Sequence, residues 1–157
     1  MPPPRRPIGL DLARAARVVS RAFDDALSQA GGSLPAWLVL LNLKIRPTAN
    51  QRELAAAVGV REATLSHHLN AMEDDGLLIR RRDPSNRRVH KVELTAAGEA
   101  AFLQLRQAAM AFDRQLRHGI STEELTGLTG LLERLATNVG AGDENAAPWT
   151  GLIERKT

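Results

Sequence analysis

A mainly α-helical (α+β) fold with one small β-hairpin is predicted by three features of this 157-residue chain. Aromatic residues are scarce: no Tyr, three Phe and two Trp leave Leu, Ala and Val to build the core, which favours helices over a β-sandwich. Residues 50–77 read as two short helices around a glycine turn. Immediately after them, residues 77–91 (LLIRRRDPSNRRVHK) set Arg80, Arg81, Arg82, Arg87, Arg88 and Lys91 against the single acid Asp83. That segment carries +5 in a chain of net charge +3, so the remainder sums to −2. A guanidinium-rich loop between two short strands is shaped to reach phosphates or a narrow groove. Behind a helix-turn-helix it makes a winged helix-turn-helix, with the flanking helices expected to form a homodimerisation domain.

The elements follow in order. Residues 1–7 are rich in Pro and Arg and are expected to form an irregular N-terminal arm. Over residues 8–32 a helical stripe of Leu12, Ala15, Ala16, Val19, Ala22, Phe23 and Ala26 predicts a first helix, stopped by Gly31 and Gly32 and assigned to dimerisation. The DNA-binding lobe is expected over residues 33–98. Ser33 caps its opening helix, with Pro35 in the first turn, and this helix is apolar nearly all round and therefore buried. Asn50 and Glu53 have the spacing of a capping box for a third helix, which Gly59 ends. A fourth helix runs from about Glu62 to Asp75, stopping at Gly76. Strands flank the turn Asp83-Pro84-Ser85-Asn86. Residues 95–140 hold two more dimerisation helices, one capped by Thr95 and reaching about His118, the other opened by a Ser121–Glu124 box. The tail, 141–157, is left unassigned. The apolar stripes of the first and last helices exceed what the winged module can cover, which predicts a second copy of the chain.

On the fourth helix, at about 100° per residue, Leu65, Leu69 and Met72 gather on one side. The other side carries Ala63, His67, Asn70 and Asp74, with Thr64 and Ala71 nearby. As a recognition helix it would read with its N-terminal half: Ala63 and Thr64 methyls towards thymine, His67 or Asn70 towards base edges or phosphates. His67 and His68 are consecutive, hence about 100° apart on the helix, and do not pair as metal ligands; no metal or cofactor is expected. In the wing, Asp83 can accept from one Arg to shape the turn, leaving Arg87 and Arg88 near the tip for DNA.

These residues resemble the MarR family of bacterial transcription regulators. The resemblance runs through Asn50-Gln51-x-Glu53-Leu54-Ala55, Gly59-Val60, Thr64-Leu65-Ser66, Leu69 to Glu73, Gly76-Leu77-Leu78-x-Arg80, Asp83-Pro84-x-Asn86-Arg87-Arg88 and Leu94-Thr95-x-x-Gly98. It is continuous over about residues 34–98. It implies a homodimer joined through its first and last helices and a pseudopalindromic operator on double-stranded DNA. Recognition helices would enter successive major grooves and wing arginines the flanking minor grooves. Arg88 matches the family's minor-groove arginine and Asp83 its ion-pair partner. A small aromatic or anionic effector, bound between the dimer helices and the DNA-binding lobe, would weaken DNA binding. Two departures stand out: Arg61 where the family usually has a capping residue, and His67 where it often has Arg. The expected DNA contacts are Arg61, Ala63, Thr64, Ser66, His67, Asn70, Arg80, Arg82, Arg87 and Arg88. Trp37, Leu38 and Leu41 are a candidate ligand pocket, with simple core packing as the alternative.

The chain therefore reads as a ligand-responsive dimeric repressor. The alternative left open is a winged-helix interaction module whose basic wing binds an acidic protein partner. An enzyme is not expected, since no nucleophile elbow, Gly-rich phosphate loop or HExxH occurs. The chain has no cysteine, which excludes disulfides and thiol-based sensing. Neither a bilayer-spanning stretch nor a secretory h-region is visible, so no membrane partner and a cytoplasmic location are expected.

Overall fold

The computed structural model describes residues 7–47, 49–86 and 90–140. Six helices and one hairpin follow in the order α1 (Ile8–Gln29), α2 (Leu34–Ile45), α3 (Gln51–Val58), α4 (Glu62–Asp74), β1 (Leu78–Arg82), β2 (His90–Leu94), α5 (Ala96–Leu116) and α6 (Thr122–Asn138). The winged helix-turn-helix expected from the sequence is thus present, between one leading helix and two trailing ones.

Local chemistry sets the boundaries. Ser33 accepts from the Ala36 amide at the start of α2. Asn50 and Glu53 close a full capping box on α3, and Ser121 and Glu124 close another on α6. Gly59 ends α3 at φ +76°, a left-handed conformation that costs a residue with a Cβ far more than glycine. The α5 start is tighter still. Thr95 accepts from the Gly98 amide and donates its hydroxyl proton to the Gly76 carbonyl at 2.6 Å. Gly98 lies directly under the chain, where an added Cβ would stand 1.9 Å from the Leu77 carbonyl oxygen. The Leu-Thr-x-x-Gly sequence is therefore the joint that docks α5 beneath the end of the helix-turn-helix.

The hairpin is antiparallel, in the register Leu78↔Leu94 to Arg82↔His90. A short third pairing joins it to the helices: Asn50 bridges Lys91, and the Val92 amide donates to the Ala49 carbonyl at 3.2 Å. The residue that caps α3 thus also seats the root of the wing.

One core runs through the protomer. Leu27, Val39, Leu40, Leu43, Leu54, Leu65, Leu69, Leu78 and Val92 are fully buried in it. Trp37 stacks on Phe102 of α5 (centroids 5.7 Å apart, planes at 10°), and Phe23 of α1 stacks on Phe112 (4.9 Å, 20°). Phe102 and Leu105 belong to the same core, so the first half of α5 completes the winged lobe as well as continuing towards α6. By contrast α6 buries no residue in the protomer. Among the described residues no helix is long and apolar enough to cross a membrane.

Candidate nucleic-acid interface

The anchoring of α4 follows its sequence pattern. Leu65, Leu69 and Met72 are buried, which turns Ala63, Thr64, His67, Asn70 and Asp74 outward, and all five are exposed. Arg61 sits at the N-cap with no side-chain capping bond and is exposed at the head of the helix. An outward-facing Arg beside unpaired helix N–H groups suits a phosphate. Between residues 49 and 94 no large hydrophobic side chain is exposed among the described residues, so this surface offers no bulky apolar patch.

Three of the residues expected to face DNA are engaged within the protein. Ser66 is half-buried; its hydroxyl donates to the Glu62 carbonyl at 2.9 Å and accepts from Gln51 Nε2. It is the clasp between α3 and α4 more than part of the outward row. Arg80 bonds back to α4: Nε donates to Glu73 Oε2 at 2.9 Å and Nη2 donates to Asn70 Oδ1 at 2.6 Å. The Arg80 amide also donates to Glu73 Oε1 at 3.1 Å, so both carboxylate oxygens of Glu73 are used. The hydrogen bond from Arg80 holds the Glu73 carboxyl below the usual carboxylate range, against an opposing desolvation effect. This group locks β1 to the recognition helix. Sequence reasoning missed Glu73 and Gln51, because spacings of seven and fifteen residues across a turn leave no periodic signal.

In the wing, Asp83 is the turn's anchor. It accepts from the Ser85 amide at 2.9 Å and the Ser85 hydroxyl at 2.7 Å, and pairs with Lys91 at 3.2 Å. Those Ser85 bonds, with Lys91 beside them, pull its pKa down to about 2. Its cationic partner among the described residues is therefore a lysine from the opposite strand rather than an arginine. Arg81 lies 3.6 Å from Glu93 across the hairpin. Arg82 is exposed at the end of β1 and has no carboxylate partner among the described residues. Arg87 and Arg88, with Val89, lie outside the described residues.

Behind α4 lies a cleft of about 300 Å³. Its walls are the α1–α2 turn (Ala30 to Ser33), Ala36 and Leu40 of α2, His68, Ala71, Met72 and Asp75 on and just past α4, Leu77, and Ala101, Gln104 and Leu105 of α5. Trp37, Leu38 and Leu41 do not line it. Trp37 is spent on the Phe102 stack, and Leu41, 3% exposed, packs into the core. An all-round apolar helix does not reveal from sequence which of its faces borders a space. Among the described residues no group of three His, Cys, Asp or Glu could hold a metal, and the His67 and His68 rings sit 6.0 Å apart at a 58° tilt.

Comparison with known proteins places this geometry. A model of the MarR family matches residues 33–90. A probable transcriptional regulator from Pseudomonas aeruginosa superposes with a TM-score of 0.73 at 28% identity, over 82% of this chain and 96% of that one. The transcriptional repressor CouR bound to a 23-mer DNA duplex gives 0.77 at 27% identity, over 83% and 92%. CouR from Rhodococcus jostii RHA1 bound to p-coumaroyl-CoA gives 0.71 at 25% identity, over 82% and 91%.

Proposed function

We propose that the chain is a MarR-family protein, a homodimeric, sequence-specific regulator of transcription and a repressor released from double-stranded DNA by a small ligand. The observation that carries this reading is the exposed polar row of α4 fastened through Arg80 to a basic hairpin. A recognition helix alone could serve many partners. Coupled to a hairpin that exposes Arg82 and whose sequence continues with Arg87 and Arg88, it suits a duplex with a major groove and a flanking minor groove. An interaction module for an acidic protein would be expected to offer an exposed apolar face, and this surface has none among the described residues.

Within that reading, Arg61, Ala63, Thr64 and His67 face DNA from the helix, Asn70 lies at the edge of the row, and Arg82, Arg87 and Arg88 approach from the wing. Ser66 and Arg80 hold these readers in place. Dimerisation is supported by the apolar side chains left outside the protomer core: Ile8, Leu10 and Val18 of α1, Met110 and Leu116 of α5, and Leu128, Leu131 and Leu132 of α6. A second copy would bury them and set two recognition helices on a pseudopalindromic operator. The effector site is the cleft behind α4. It touches Ala71 on the flank and Met72 on the reverse of the recognition helix, so filling it presses on the element that reads DNA. Its walls mix apolar residues with Ser33, His68, Asp75 and Gln104, which suits a small aromatic molecule with polar substituents, and the relative CouR binds p-coumaroyl-CoA. No catalytic activity is assigned, and the location that fits is the cytoplasm, where the operator is.

Selection of duplexes from a random DNA pool at near-physiological salt tests the reading. A two-fold-symmetric motif with half-sites about one helical turn apart is expected. A folded dimer that recovers no motif, with or without aromatic acids, would overturn it.

A further inference from the structure

The cleft behind α4 is bordered by negative charge that the fold leaves unanswered. Its lining includes one carboxylate, Asp75, and no lysine or arginine. Asp75 is exposed and has no ion-pair partner among the described residues. Helix ends add to it. Both Ala30, the C-cap of α1, and Asp75, the C-cap of α4, border the cleft, and neither helix has a basic residue in its last turn. A helix C-terminus carries a partial negative charge of about half an electron, so both ends bring the same sign to this space. The one helix that starts there, α2, offers no compensating donors in its first turn. The Leu34 amide donates to Asp24 Oδ1 at 2.9 Å, Pro35 has no N–H, and the Ala36 amide donates to Ser33 Oγ at 3.3 Å. His68 is the only lining side chain able to carry positive charge.

A carboxylate entering this cleft would give up water for a site with a like charge and no lysine or arginine, which opposes binding. An ammonium would meet the reverse: Asp75 as counter-ion, with the Gln104 amide oxygen and a neutral His68 ring able to accept further hydrogen bonds. Leu40, Met72, Leu77 and Leu105 supply hydrocarbon and a thioether, surfaces on which an arene packs well. The volume, about 300 Å³, lies at the small end of ligand pockets. We propose that the cleft takes an aromatic amine, an organic cation whose ring packs against Met72 and Leu105 and whose ammonium pairs with Asp75. This inference rests on the reading of the cleft as the effector site and names the charge of the molecule it takes.

The test is calorimetric titration of the full chain at about pH 8 with three probes of one shape: 2-naphthylmethylamine, 2-naphthylmethanol and 2-naphthoate, respectively cation, neutral and anion at that pH. The amine should bind about fivefold tighter than the alcohol, the upper end of what an exposed ion pair supplies, and the carboxylate should bind most weakly. Asp75→Asn should bring the amine to the affinity of the alcohol and leave the alcohol unchanged. Ala101→Phe, which sets a ring into the cleft, should abolish binding of all three; each variant is checked for folding by thermal melting. Tighter binding of 2-naphthoate than of the amine overturns the proposal while the effector-site reading stands. An amine preference that survives Asp75→Asn overturns the pairing with that carboxylate. Undiminished binding to a folded Ala101→Phe, or no binding of any probe up to millimolar concentration, removes the effector-site reading and this inference together.

Discussion

The winged lobe and the helices that flank it treat the same kind of amphipathic pattern in opposite ways. Leu40, Leu43, Leu54, Leu65, Leu69 and Leu78 are 0–1% exposed, closed in by α2, α3, α4, the hairpin and the first half of α5. On α1 only Leu27 is buried, while Ile8 and Val18 are 64% and 63% exposed; on α6 Leu128 and Leu131 stand at 49% and 55%. The lobe has enough elements to wrap its own apolar faces. The flanks do not: α6 buries no residue in its own chain, and α1, although Phe23 stacks on Phe112 of α5, leaves the apolar residues of its first half exposed. A stripe of leucines therefore states that a face must be covered without stating by which molecule.

The comparison breaks most visibly at α6. Leu131→Glu should weaken dimerisation at least roughly 100-fold, since two leucines per dimer each lose the roughly 1.5–3 kcal/mol of burying such a side chain. Sedimentation would read this as monomer at micromolar concentration, and operator affinity should fall with it. An unchanged dimer would mean that α6 is not in the interface. In the lobe, Leu40→Ala should cost about 2–5 kcal/mol in denaturant unfolding through the cavity it leaves. Gly98→Ala should cost about 2–3 kcal/mol, because Leu77 backbone must move to admit the methyl group. A null result there would show that the joint between hairpin and α5 is looser than its geometry.

Smaller changes sharpen the contrast. The two capping boxes are chemically alike, so Asn50→Ala and Ser121→Ala should each cost about 1 kcal/mol. The first should appear as lost lobe stability and a loosened wing, the second as weaker dimerisation. Equal effects of both on dimer dissociation would dissolve the distinction between the regions. The least effect is expected from acid on the wing. The Asp83 pKa falls from 3.8 to about 2 on folding, so its contribution is complete above about pH 3.8 and is lost as pH falls towards 2. Asp83→Asn should remove that dependence and lower the melting temperature slightly at pH 7, where the contribution is complete, as thermal melting at pH 7 and at pH 2 would report; carboxyl NMR titration reads the Asp83 pKa itself. A wild-type Asp83 that titrates near 3.8 would mean the turn is not held as described.

Much of the interface was legible in the chain itself. The outward row of α4 follows from Leu65, Leu69 and Met72 alone, since a 3.6-residue period determines what lies opposite a buried stripe. Caps at Ser33, Asn50, Thr95 and Ser121 were readable because each bond spans only three residues. Which of the outward residues are available was not. Ser66 and Arg80 carry the right chemistry for DNA, and each is drawn off by a partner on another element. Nor was it legible which face of α2 borders the cleft: an unbroken apolar run makes Trp37 and Leu41 as plausible as Ala36 and Leu40.

The sequence by itself determined the element order, the helix ends, the core face of the recognition helix and the basic wing, because periodicity, capping and charge are local properties. Only the tertiary structure decided that Arg80 belongs to Glu73 and Asn70, that Lys91 meets Asp83, and that the cleft opens behind α4. Those depend on how elements far apart in sequence are brought side by side, and a hydrogen bond between them exists only once the core has set their distance.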